Sequence, residues 1–137
     1  MKNLFLILIL FAYTAHSQIV VKETSKDSTV WKSKNATLPK LIHFYNDERN
    51  WYTLYYKNLE YQHITDIDYI NLGLKENTID FFNILKQSLE EKKQVNFELS
   101  DKLWFVHTNS NIVSLSSSGT TFFLFKDDVN NILDLLK

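Results

Sequence analysis

The sequence predicts an α+β fold in two layers: a mainly antiparallel sheet, built from N-terminal strands plus a four-strand meander, with two helices packed on one face. Apolar residues recur at helical spacing in only two stretches, residues 76–93 and 127–136. Short runs rich in aromatic and β-branched residues occupy most of the chain after Pro39. Only short polar turns separate the last four of these runs, which favours antiparallel neighbours.

The first 17 residues have the three parts of a cleavable signal peptide. Lys2 supplies a positive charge, residues 4–13 form an apolar run, and Ala15 and Ser17 are small residues before the cleavage point. A helix that crosses a membrane needs about 20 apolar residues, so the run is too short to favour a retained anchor. The sequence therefore predicts a periplasmic or extracellular protein with no membrane span after signal cleavage.

The mature chain is predicted to consist of an arm and one domain. Residues 18–39 are dominated by Lys, Ser, Thr and Asp, which is typical of a polar, loosely ordered arm. Residues 19–21 or the segment around Val30 would add at most an edge strand. Residues 40–137 are predicted to form a single α+β domain. The chain has no cysteine, so burial of a core must stabilise it without disulfides.

The first predicted strands are residues 41–45 and 51–56, which form a hairpin around the polar turn 46–50. Residues 61–72 are rich in Tyr, Ile and Thr and are interrupted by acidic residues. This pattern predicts a long strand with one solvated face.

The main predicted helix, residues 76–93, carries a Phe and Leu stripe that suits packing against a sheet, and Asn77 is its expected N-cap. The closing helix, residues 127–136, begins at Asp127 as the expected cap. Between the two helices lie the four meander strands, predicted at residues 95–99, 103–107, 112–116 and 120–125.

Composition excludes several functions. The formal net charge is −1 and the charges are mixed along the chain, which argues against a nucleic-acid partner. Only two glycines are present and no glycine-rich phosphate loop exists, which argues against nucleotide chemistry. The serines at 114–118 lack the GxSxG pattern of a nucleophile elbow. No cofactor is predicted.

The densest polar cluster contains His63, Asp66 and Asp68, the candidate catalytic residues. On a regular strand the two aspartates share a face about 7 Å apart, and His63 lies on the other face. His43, His63 and His107 fall in three different predicted strands, but no HExxH or His-x-His spacing joins them. A metal site is therefore not predicted.

Aromatic residues are concentrated between Trp51 and Tyr69. If Tyr52 and Tyr56 face the core, Trp51 and Tyr55 face outward, because strand side chains alternate. Exposed large aromatics in a soluble protein often mark an interaction site. Trp51, Tyr55 and Tyr61 are therefore the candidate binding residues.

The favoured function is a non-enzymatic binding or interaction module for a protein or carbohydrate partner, acting through a sheet face or an exposed edge strand. One alternative is a small hydrolase that uses Asp66 and Asp68 with a histidine. A further alternative is an envelope-assembly subunit or an inhibitor of a secreted enzyme, whose arm 18–39 orders on binding.

Overall fold

The computed structural model describes residues 25–34, 38–60 and 66–137. The predicted signal peptide, Tyr61 and His63 lie outside these residues. Within them, the order of four strands followed by a helix occurs twice. The elements are β1 (Lys26–Lys32), β2 (Lys40–Tyr45), β3 (Asn50–Lys57), β4 (Ile67–Gly73), α1 (Lys75–Glu91), β5 (Val95–Leu99), β6 (Lys102–Asn109), β7 (Ile112–Ser117), β8 (Thr120–Phe125) and α2 (Lys126–Leu136).

The strands form two antiparallel sheets of four, in the orders β1-β2-β3-β4 and β5-β6-β7-β8. The predicted α+β class is confirmed, but the strands are divided between two sheets instead of being gathered in one. The chain leaves the first sheet through the 17-residue helix α1. The next four strands are joined by short turns, so each pairs with its neighbour in sequence.

The edge strand β1 forms around Val30, where the sequence allowed an edge strand within the segment 18–39. It pairs with β2 from Lys26 to Lys32, with a register shift between Thr29 and Trp31. Trp31 lies opposite Leu41, is only 8 % exposed and belongs to the hydrophobic core. Trp31 thus packs into the core from a strand whose other side chains are mostly exposed.

Both helices begin earlier than their polar residues predict. Leu74 is the N-cap of α1, so Asn77 lies inside the first turn. Phe125 is the N-cap of α2, and its backbone N–H donates to the Asp128 carboxylate at 3.1 Å. The expected cap Asp127 is therefore wrong. Each helix follows directly from a strand, so the cap positions fall to Leu74, next after β4, and Phe125, the last residue of β8.

One hydrophobic core joins both sheets to both helices. α1 contacts β3 and β4 of the first sheet and β6 and β7 of the second, while α2 contacts β1 and β8. We call the sheet faces directed at the helices and the core the inner faces and the opposite ones the outer faces. No helix within the described ranges is long and apolar enough to cross a membrane.

Asn58, which is 1 % exposed, fastens the end of the first sheet to the β7–β8 turn. Its side-chain NH2 donates to the Gly119 carbonyl at 2.8 Å, and its Oδ1 accepts the N–H groups of Thr121 and Glu60, both at 3.1 Å. The neighbouring Leu59 N–H donates to the Thr121 carbonyl at 2.8 Å. These bonds hold the two sheets at a defined junction.

Candidate functional site

A row of four aromatic side chains crosses the outer face of the first sheet. The strand register places Phe44 opposite Trp51 and Tyr55 opposite Tyr69. The Phe44 and Trp51 rings stack with centroids 5.5 Å apart and planes 13° apart. The Phe44 and Tyr55 centroids are 6.5 Å apart, and those of Tyr55 and Tyr69 are 5.8 Å apart. We call Phe44, Trp51, Tyr55 and Tyr69 the aromatic row.

The aromatic row flanks two buried residues on the same outer face. Ile42 and Thr53 face each other across β2 and β3 on the outer face. They are only 7 % and 4 % exposed, yet neither belongs to the main core. Of the described elements, neither α1 nor α2 packs on this face, and the side chains of the row flank both residues. The row is therefore a packed structure, and Lys40 adds a cation 5.7 Å from the Tyr55 ring centroid.

A groove of about 690 Å³ opens beside Trp51, between the β2–β3 turn and the junction of β4 with α1. It combines this one aromatic ring with side-chain amides and charged groups. Its lining consists of Asn46, Asp47, Glu48, Arg49, Asn50, Trp51, Asn71, Gly73, Leu74 and Asn77. We call it the asparagine groove. Trp51 borders it and also stacks on Phe44, so the indole separates the row from the groove.

Local backbone bonds orient the amides of this groove. The Asn46 Oδ1 accepts the N–H groups of Glu48 at 2.9 Å and Arg49 at 2.6 Å, which shapes the turn. The Asn71 Oδ1 accepts the Gly73 N–H at 3.0 Å. The amide oxygens are thus occupied. The NH2 groups of Asn46 and Asn71 have no partner among the residues that the structure describes, so they remain available as donors.

Two of the three binding residues predicted from the sequence, Trp51 and Tyr55, lie together on the outer face. Tyr61 lies outside the described residues. Sequence reasoning missed Phe44, whose place in the row depends on its cross-strand pairing with Trp51. Tyr69 stood among the concentrated aromatics, and it is 62 % exposed at the end of the row.

The candidate acids lie at the opposite end of the first sheet from the asparagine groove. Asp68 is opposite Tyr56 on the inner face of β4, and the Asp66 carbonyl accepts the Asn58 N–H at 2.8 Å. Burial raises the pKa of Tyr56 to about 12, and the charges on Asp68 and Asp66 add to this. The Tyr56 hydroxyl bonds to the Thr120 hydroxyl at 3.0 Å. A phenol with this pKa stays neutral near pH 7.

The two described histidines do not converge. His43 in β2 contacts Asn50 and stacks on Tyr52 with ring centroids 4.5 Å apart. His107 lies in β6, opposite Ser114 on the outer face of the second sheet. Among residues 25–34, 38–60 and 66–137, no group of three or more His, Asp or Glu side chains is arranged to hold a metal ion. His63, the third histidine considered from the sequence, lies outside the described residues.

Comparison with known protein families, characterised proteins and solved structures finds no match to this chain. The candidate site therefore consists of two adjoining surfaces of the first sheet, the aromatic row and the asparagine groove.

Proposed function

We propose that this chain is a non-enzymatic carbohydrate-binding module that holds a sugar against Trp51 in the asparagine groove. The observation that carries this proposal is the position of Trp51, an indole supported on one side by Phe44 and bordered on the other by a groove rich in amides. The aromatic row extends the contact surface across the sheet to Tyr69.

The chemistry of a sugar matches both parts of the site. One face of a pyranose ring carries C–H groups, which pack on an aromatic ring, while its hydroxyls both donate and accept hydrogen bonds. The groove offers amide NH2 donors on Asn46 and Asn71, the guanidinium of Arg49, and acceptors on Asp47 and Glu48. A concave site with an apolar surface and several convergent polar groups is typical of small-molecule recognition.

A protein partner fits the same surface less well. Phe44 lies between Trp51 and Tyr55, so neighbouring rings cover much of the apolar area of the row. The donors and acceptors are concentrated in a groove instead of forming a rim around a flat apolar centre, as protein interfaces do. Export from the cytoplasm, which remains a prediction, would bring the module to extracellular and cell-envelope glycans.

The test is retention by polysaccharides. The purified chain is run in native gels that contain soluble plant, bacterial or animal polysaccharides, and it is mixed with insoluble ones. Trp51→Ala is compared with Phe105→Ala, which removes another aromatic side chain that is 40 % exposed, on the outer face of the second sheet. We expect retention by at least one polysaccharide, a loss of about tenfold or more in affinity for Trp51→Ala, and no change for Phe105→Ala.

Two results would overturn the proposal. One is the absence of retention by every polysaccharide. The other is retention that Trp51→Ala leaves unchanged. Circular dichroism of each variant establishes that the fold is intact. Protein capture that depends on Trp51, in the absence of any glycan retention, would support the protein-partner interpretation instead.

A further inference from the structure

A second concavity lies at the junction of the two sheets. Its volume is about 430 Å³, and it is bounded by the end of β1, the start of β2, the end of β3, β8 and the first turn of α2. We call it the junction cavity. β3 borders the asparagine groove at Trp51 and the junction cavity at Lys57, so the two concavities are about 20 Å apart.

The walls of the junction cavity are largely apolar. Leu38, Pro39, Leu59, Phe123 and Phe125 line it. Leu59, Phe123 and Phe125 are 41 %, 39 % and 49 % exposed, so large apolar side chains meet solvent there. A cavity of this volume with exposed apolar walls is in the range that binds small organic molecules.

The base of the cavity is closely packed. Tyr56 and Phe122 line it, are almost fully buried and stack with ring centroids 3.9 Å apart. Trp104 packs edge-on against Phe122 with centroids 6.1 Å apart. The Tyr56 hydroxyl is already bonded to Thr120, so it is not a free polar group at the base.

The charges around the cavity cancel. Two cations, Lys34 and Lys57, and two anions, Asp127 and Asp128, are among the lining residues. The Asp128 carboxylate is engaged by the Phe125 N–H at 3.1 Å. Two cations and two anions around one opening favour neither an anionic nor a cationic ligand, and a ligand charge drawn into the apolar interior would lose hydration.

We propose that the junction cavity is a binding site for a small, uncharged, apolar molecule, aromatic or aliphatic. The site is separate from the asparagine groove, and the proposal does not depend on carbohydrate binding. The ligand lies between the exposed walls formed by Leu59, Phe123 and Phe125.

The probe for the test is N-phenyl-1-naphthylamine, a neutral apolar fluorophore whose emission rises in apolar surroundings. We expect saturable binding at one site per chain, and weaker binding of the anionic probe 1-anilinonaphthalene-8-sulfonate. Leu59→Glu places a charge in the wall and is expected to weaken binding of the neutral probe about tenfold or more. Leu135→Glu makes the same change at an exposed site in α2, outside the cavity, and is expected to leave binding unchanged.

A second wall variant serves as a control in case Leu59→Glu misfolds. Phe125→Asp also introduces a charge into the wall, and aspartate is a favourable residue at the N-cap position that Phe125 occupies. Failure of the neutral probe to saturate, wild-type affinity in both wall variants, or tighter binding of the anionic probe would overturn the proposal. Trp51→Ala is expected to keep full probe binding, so failure of this proposal and failure of the carbohydrate proposal are distinguishable.

Discussion

Replacing Asn58 by Ala removes the side chain that fastens the two sheets together. Asn58 is 1 % exposed and makes three hydrogen bonds, to Gly119, Thr121 and Glu60. Each such bond contributes on the order of 1 kcal/mol net, and unmet polar groups at a buried position add to the cost. Asn58→Ala is therefore expected to lower the free energy of unfolding by about 3 kcal/mol.

The measurement is urea unfolding, followed by the fluorescence of the three tryptophans, of which Trp31 and Trp104 are buried. Asn96→Ala is the matched control, because Asn96 is an exposed strand residue for which the described structure shows no side-chain hydrogen bond. It is expected to change stability by less than about 0.5 kcal/mol. A loss below about 1 kcal/mol for Asn58→Ala would refute the view that this residue holds the sheet junction.

Three further changes test the packing. Burial raises the pKa of Tyr56 to about 12, so above pH 10 the unfolded chain ionises this phenol first and the protein loses stability. Between pH 10 and 12, the free energy of unfolding measured in urea should fall by about 1 to 2 kcal/mol less for Tyr56→Phe than for the wild type. Equal decreases in the two proteins would contradict this. Gly73→Ala forces a β-carbon onto a residue with φ of +80°, at 3.2 Å from the Asn77 side-chain nitrogen. Thermal unfolding should show that Gly73→Ala lowers the free energy of unfolding by about 1 to 2 kcal/mol. Wild-type stability would contradict backbone strain at this position. Asp128→Ala removes the acceptor of the Phe125 N–H and should cost about 1 kcal/mol, measured by urea unfolding; a neutral effect would mean that this bond does not stabilise α2.

Local sequence patterns predicted the strands and helices well, because these elements depend on residues that are close together in sequence. β5 and β8 lie at the predicted residues, since alternation and short turns define each strand without reference to the rest of the chain. The stripe in α1 likewise placed Phe82 and Leu85 in the core.

The features that form the candidate sites depend on contacts between distant residues. Phe44 joins the aromatic row only through its pairing with Trp51 across the hairpin. Trp31 packs into the hydrophobic core from a polar segment that forms a strand, and this contact involves residues distant in sequence. The junction cavity forms where the end of β3 contacts β8. No periodicity in the sequence predicts this contact between distant strands.

The most direct test of the central claim is amide shift mapping by solution NMR on the isotope-labelled chain. Soluble oligosaccharides are titrated singly, and the backbone amides, the asparagine NH2 signals and the Trp51 indole N–H are followed. We predict saturable shifts for residues 46–51 and 71–77 and for the Asn46 and Asn71 side chains, with Leu59 and Phe105 unchanged. Shifts centred on the outer face of the second sheet, or no saturable shift with any oligosaccharide, would contradict carbohydrate binding at Trp51.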